Sequence, residues 1–582
     1  MPLKLTGRIV LGLLLGATLW LAVTAAPRRV PAPGVETTLW LAAHSVAFDH
    51  DERFVDADVA RYRARFGEGP RDVRTEPHGD RLSAPFLAVR LWAAALAVGG
   101  ESGPFLLNFL ALTLAALAAC RALRAPLGDA VALWVALLLF GSVAWNVGLR
   151  WQSEILVMAA VVLAMAAIWG REPGLSVVEE VTGPDGEKRV DEIYGGDLET
   201  RAAHWPWPVA GLLLGAAAVR HPGYALLALP VLAELPTRFR GSARLRAGAL
   251  FVLLFVAPIV AVALLHGAPW EAPANLFDAR LFGWNALYFA AGRNVGLLVG
   301  YLPLLALLFS PRSDGGRRFL PLTVLLAVVL QLVIAPFDWA GDPSAVGNVW
   351  FLPLYGALWF CAGPMLRPRG IALLAIAAAP FLSALWLAPL SDGTRPPAAF
   401  ARISPFTSGV REHLPFETSL RTLPGSDEIA RAGVRLRGTH PEIHASSGRL
   451  SWLALEGARR EIAKERRAEL IVESDRELSS VRLDFSADAP ASLAVEGGVA
   501  GGTTFRPSGE VAFEITLPAP ARRHPLWWSR APVSIYFLGL ALPQPKSPAA
   551  GSGTPAPASA DNAISFDLGL ARVRGSEGLN HE

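Results

Sequence analysis

The sequence predicts a polytopic α-helical membrane protein with about eleven transmembrane helices and a C-terminal β-sandwich domain. Three observations predict it. Apolar residues gather into runs of roughly 16 to 20 up to about residue 389, near the ~20 needed to cross a ~30 Å hydrocarbon core. Clusters of arginine occupy short loops between alternate runs. Beyond about residue 405 the runs give way to strand-like alternation. The composition agrees, with 52% hydrophobic residues, 18% charged and a mean hydropathy of +0.38. A net charge of only +3 gives no footprint for nucleic acid.

The first run, 8–26, follows Lys4 and Arg8 and ends at Ala25-Ala26-Pro27. Its length, and the proline after the small residues, read as a retained signal anchor with a cytoplasmic N-terminus. The remaining candidate spans are 103–120, 128–147, 152–170, 207–219, 222–235, 247–266, 295–310, 319–336, 349–365 and 370–389. The segment 83–99 opens near Pro85, carries Arg90 and ends in Gly99-Gly100, so it reads as a re-entrant or interfacial helix. On that count Arg121 and Arg124, the cluster Arg238, Arg240, Arg244 and Arg246, the cluster Arg312, Arg317 and Arg318, and the pair Arg367 and Arg369 all fall on the cytoplasmic side. The spans 207–219 and 222–235 form a hairpin around Arg220-His221-Pro222-Gly223.

Domain boundaries follow. Residues 1–390 form the transmembrane domain, with 27–102 as a first extracytoplasmic loop and 171–206 as an acidic, turn-rich cytoplasmic insertion that reads as a small hairpin or flexible loop. Residues 391–404 are a linker and 405–582 the extracytoplasmic β-sandwich, interrupted by a Pro/Ala/Ser/Gly-rich stretch at 543–562. Strand patterns start near Val434, Leu450, Glu469, Val481, Ala491, Glu510, Ser534 and Ile564. Trp527-Trp528 suits docking onto the membrane surface better than sugar stacking. Cys120 and Cys361 lie far apart in apolar runs, without a disulfide or Cys/His metal pattern. There is no regular internal repeat.

The chemistry is expected beyond the first span. Asp49, Asp51, Glu52, Asp56 and Asp58 crowd around His50, and Arg61, Arg63 and Arg65 follow. Val55, Val59, Tyr62 and Phe66 recur on one helical face. Asp56 and Asp58 therefore read as the start of a surface helix, while Asp49 and Asp51 are the candidates for chemistry. Solvated loop acids paired with Arg53 or Arg61 are the plainer account. Three other charged places fall at outer ends of spans: Arg150-Trp-Gln-Ser-Glu154, Arg220-His221, and the loop 268–294 with Arg280 and Arg293. Ionisable groups there are costly unless paired, water-lining or functional. Glu154 also stands four residues from Arg150, the spacing of an ion pair across one helical turn. Trp270, Trp284 and Tyr288 suit an interfacial belt, or stacking on sugar faces.

These residues resemble the GT-C superfamily of integral membrane glycosyltransferases, particularly the dolichyl-phosphate-mannose mannosyltransferases and aminoarabinose transferases. The resemblance spans roughly residues 5–390. It rests on the order Phe48-Asp-His-Asp-Glu52, Leu82-Ser-Ala-Pro-Phe-Leu87, Gly211 to Pro222, Tyr288 to Leu298, and Gly347-Asn-Val-Trp-Phe-Leu-Pro-Leu-Tyr355. It implies transfer of a sugar from a polyprenyl-phosphate lipid to a glycan, lipid or protein acceptor outside a bacterial inner membrane. It assigns Asp49, Asp51 and Glu154 to catalysis, with Asp58 as a third base candidate, and Arg220, His221, Arg280 and Arg293 to the donor phosphate. No cofactor is certain; a divalent metal, Mg or Mn, held by Asp49 and Asp51 is an option. Two positions depart from the family pattern: His50 replaces a usual glycine and Val349 a usual arginine. A lipid-linked glycan transporter or flippase is the alternative from another class, although charge stays near the span ends. A third is an inactive GT-C-like scaffold that binds glycan.

Overall fold

A computed structural model describes residues 3–170 except 33, 68, 71–72 and 74–80, and also 205–266, 279–292, 295–309, 315–335, 339–341, 347–362, 368–387 and 389–390. Within 171–204 and beyond 390 it describes strands alone, as backbone. The chain divides into two compact units. One comprises 1–275, 301–334 and 350–377; the other comprises 276–300, 335–349 and 378–582.

The apolar runs become helices in the first unit, as expected of a helical membrane protein. Among the described residues, Leu5–Arg28, Phe86–Ala122, Gly241–Leu265 and Gly315–Ile334 are long and apolar enough to cross a membrane. Most other predicted spans are shorter helices, including Glu154–Trp169 and Pro206–Arg220. The run 128–147 is broken between Val131–Phe140 and Ala144–Val147, where Ser142 Oγ donates to the Leu138 and Leu139 carbonyls.

The stretch Phe86–Ala122 is not one rod. Helix Phe86–Gly99 meets helix Gly103–Ala122 through the 3-10 turn Gly100–Ser102, and the two lie side by side. Trp92 Nε1 donates to Asn108 Oδ1 at 3.0 Å, and a Cβ on Gly103 would run into the Ala95 carbonyl. That turn packs at the C-terminal end of the first helix, Leu3–Thr24, where Ser102 Oγ approaches the Val23 carbonyl at 3.4 Å. At the other end of the same helix, Gly7 packs against Ala132 and Leu133. Residues 25 and 102 therefore lie at the same end of the first helix.

The same accounting sorts the other loops. Residues 148–154, 220–224 and 350–351 lie at this end, which we term the loop end. The opposite end gathers Ala122 near Gly170, Arg317 Nη2 donating to the Trp169 carbonyl, and Glu234 accepting from Gly316 N–H. Helices Pro206–Arg220 and Gly241–His266 run in backbone contact because Gly211 and Gly215, four residues apart, face the Phe251 and Phe255 carbonyls, leaving no room for a side chain.

The insertion 171–206 holds an antiparallel strand pair, Val178–Thr182 with Lys188–Glu192. In the second unit, strands 453–458, 467–474, 532–541, 492–496 and 503–504 form a sheet in that order, with 522–525 also on 532–541. Residues 480–486 pair with 510–516, and 564–568 runs parallel to 434–438. The predicted strand segments are thus strands; Trp527 and Trp528 lie outside the described residues.

Candidate active site

Helix Val35–His44 opens the loop end and carries a residue that the sequence reading passed over. Glu36 is fully buried. Its Oε2 accepts from Arg29 Nη1 at 2.6 Å and from Ala32 N–H at 3.0 Å, and its Oε1 lies 3.5 Å from Arg150 Nη1. Arg150, also buried, donates from Nε to Asn146 Oδ1 at 2.9 Å. The expected Arg150–Glu154 pair is therefore replaced by Arg150–Glu36. The reason is local: Glu154 is the first residue of helix Glu154–Trp169, so Arg150 precedes the helix and no helical turn joins them. A lone acid inside an apolar helix was the signal for Glu36, but its partner stands 114 residues away.

After His44 a π-helical turn, Ser45–Asp49, delivers the acidic loop. Asp49 receives a two-pronged contact from Arg61 Nη2, at 2.8 Å to Oδ1 and 2.7 Å to Oδ2. Arg61 also reaches Asp58 Oδ1 at 3.0 Å and lies over the Phe48 ring. Asp51 is held differently. Its Oδ1 accepts from Ser45 Oγ at 2.6 Å and from Arg53 N–H at 3.2 Å, and among the described residues its Oδ2 takes no hydrogen bond. Between them His50 sits at φ +60°, ψ +26°, in the left-handed region that favours glycine. Glu52 is tied to Arg81 and Arg90.

The predicted surface helix is present as Asp56–Phe66. Asp58 lies three residues into it and accepts from the Val55 N–H at 3.1 Å, a cap on the helix N-terminus. Burial raises the Asp58 carboxyl above its ordinary value, with the Val55 N–H and Arg61 opposing. Tyr62 and Phe66 pack edge-on against Trp40, with centroids 5.2 and 5.4 Å away.

Glu154 meets Arg220, the last residue of helix Pro206–Arg220. Arg220 Nη2 and Nε donate to Glu154 Oε1 at 2.6 and 3.0 Å, and Nε also lies 3.2 Å from Ser153 Oγ. His221 accepts the Gly223 N–H on Nδ1 at 3.0 Å, and its ring meets Trp350 edge-on at 5.1 Å. Burial and then the neighbouring Arg220 hold it down to about 3, against a hydrogen bond with Gln331. The loop 44–51 and the 148–154 segment meet through His44 and Trp151, with ring centroids 6.0 Å apart.

The structure thus brings Asp49, Asp51, Glu154, Arg220 and His221 to one end of one unit. Arg280 lies on helix Ala279–Ala291 of the other unit, its side chain outside the described residues, as is Arg293 altogether. Gly347 of the Gly-Asn-Val-Trp stretch takes φ +84°, and Val349 is fully buried. Among the described residues no group of three or more His, Cys, Asp or Glu side chains gathers to hold a metal. Both Asp49 oxygens face the Arg61 guanidinium.

No protein-family model matches the chain, and no curated protein matches it. Among solved structures it is similar to crystal structures of ArnT from Cupriavidus metallidurans. The apo form shares 16% identity at a TM-score of 0.41, and the form bound to undecaprenyl phosphate 14% at 0.42. Each match covers 70% of this chain and 70% of that chain. With overlap at this level, the functional reading stands on the side chains.

Proposed function

We propose that this chain is a GT-C-like membrane glycosyltransferase that moves a sugar from a polyprenyl-phosphate lipid to an acceptor hydroxyl at the loop end. One observation carries the reading. A carboxylate, Asp51, whose Oδ2 takes no hydrogen bond among the described residues, shares an end of a membrane-embedded bundle with a partly exposed arginine, Arg220. Group transfer from a phosphate-linked donor needs both.

Asp51 is the better base of the leading pair, since Oδ2 offers lone pairs while Asp49 is spanned by Arg61. In the reaction Asp51 takes the acceptor proton as the hydroxyl oxygen bonds to the anomeric carbon. The bond from that carbon to the phosphate oxygen breaks, and its electron pair leaves with the lipid phosphate. Arg220 offsets the charge that grows there, its fork matching phosphate geometry. Glu154 holds that fork in place until the donor arrives. The apolar lipid tail enters between the helices from the bilayer.

Arginine-rich loops at the opposite end favour a cytoplasmic face there, which puts the loop end outside the inner membrane. We read the remaining apolar helices as completing about eleven crossings. The strands beyond residue 405 then pack as a β-sandwich on the outer side.

Purified protein supplied with polyprenyl-phosphate sugars tests the reading. Wild type should transfer sugar, Asp51→Asn should transfer at least ~10²-fold more slowly, and Asp49→Asn should lose less. Wild-type rates in Asp51→Asn would remove it as the base.

A further inference from the structure

We propose that His44 is a positioning residue for the acidic loop, acting as an imidazolium clamped between the Trp40 carbonyl and the Glu101 carboxylate. The inference rests on the reading of that loop as the source of the catalytic base. His44 is the last residue of helix Val35–His44, and the next residue, Ser45, carries the hydroxyl that binds Asp51. What fixes His44 therefore fixes the position from which Asp51 is aimed.

The chemistry of its two ring nitrogens settles the charge. Nδ1 lies 2.8 Å from the Trp40 carbonyl oxygen, and Nε2 lies 3.2 Å from Glu101 Oε1. A carbonyl oxygen and an ionised carboxylate only accept. Each ring nitrogen must then carry a hydrogen, which a neutral imidazole cannot supply. Glu101 is the ionised partner: burial acts to raise its carboxyl, but the His44 hydrogen bond and charge, with Arg65, bring it below its ordinary value. The His44 ring also stacks on Trp40, with centroids 3.6 Å apart and planes at 20°, a face that attracts a cation.

The neighbouring charges are otherwise committed. On the same helix Glu36 faces Arg29 and Arg150. In the following turn Asp49 faces Arg61, and Asp51 faces Ser45. On helix Asp56–Phe66, Asp58 faces Arg61, while Arg65 donates to the Pro27 carbonyl and stands near Glu101. On helix Phe86–Gly99, Arg90 faces Glu52. Glu101, on the turn Gly100–Ser102, is the carboxylate that meets the ring.

Full-length protein in nanodiscs provides two readouts. In nitrogen-15 histidine spectra, His44, identified by its absence in His44→Gln, should carry protons on both nitrogens at neutral pH. Glu101→Gln, which removes the carboxylate, should leave a proton on one ring nitrogen alone. In transfer assays with a polyprenyl-phosphate sugar, kcat should fall severalfold in Glu101→Gln and in His44→Gln, with KM near wild type because the donor-binding groups are untouched. A wild-type His44 with a proton on one nitrogen only, or kcat unchanged in Glu101→Gln, overturns the proposal. Glu101 is partly exposed, so its variant carries the kinetic test if His44→Gln does not fold. Absence of transfer by wild type removes the catalytic reading and the positioning role with it, while the spectra still report whether the clamp forms.

Discussion

The two ends of the helical unit both bury carboxylates, and they do so in opposite ways. At the end away from the loop, Glu234 is 7% exposed and closed off by Gly316 N–H at 2.7 Å and Arg238 Nε at 2.9 Å, one helical turn away. Such a cluster ties backbone to backbone. At the loop end the innermost pair, Glu36 and Arg150, is 0% and 1% exposed, but above it Arg220 is 35% and Asp49 29% exposed. A sealed ion pair supports charges that solvent and substrate can reach. Closed clusters hold a fold together, whereas open charges on a closed floor can exchange partners, as an active site requires.

The largest expected effect breaks the floor. Arg150→Met leaves the buried Glu36 with Arg29 alone and should cost roughly 1.5–3 kcal/mol, the range for hydrogen bonds to a charged group. Thermal unfolding in detergent measures it, and an unchanged midpoint would show that the floor is dispensable. Next, Arg220→Gln removes the exposed fork. It should weaken binding of polyprenyl phosphate by about tenfold or more, since hydrogen bonds to charged groups are worth about 1.5–3 kcal/mol, and should also lower the unfolding midpoint because the buried Glu154 loses this partner. Equal weakening by Arg238→Gln would erase the distinction between the ends. The smallest effect lies at His50. His50→Gly trades about 1–2 kcal/mol of left-handed strain against about 0.5–1 kcal/mol of backbone entropy, so stability should stay within about 1 kcal/mol. His50→Val should be clearly less stable by the same assay.

Much of the bundle was legible because a bilayer demands long apolar runs, and the helices Leu3–Thr24, Gly103–Ala122 and Gly241–His266 fall where the runs do. The end of helix Phe86–Gly99 was also readable, from the glycine pair. The break at Gly141-Ser142-Val143 was not, because its hydrogen bonds are satisfied by Ser142, a side chain with many other uses. In the site, Asp56 and Asp58 were readable as a helix start because capping is local. The pairs Glu36–Arg150 and Glu154–Arg220 were not, since their members are 114 and 66 residues apart and only packing brings them together. His44 left one local trace, its spacing of one helical turn from Trp40, but Glu101 lies 57 residues further on.

The contrast between the ends is tested most directly by sugar transfer from a polyprenyl-phosphate donor, measured side by side in the Asp49→Asn/Asp51→Asn double variant and in Glu234→Gln. The account predicts a loss of at least ~10²-fold in the first and a rate near wild type, per folded molecule, in the second. Full transfer by the double variant, or an equal loss in both, would contradict it.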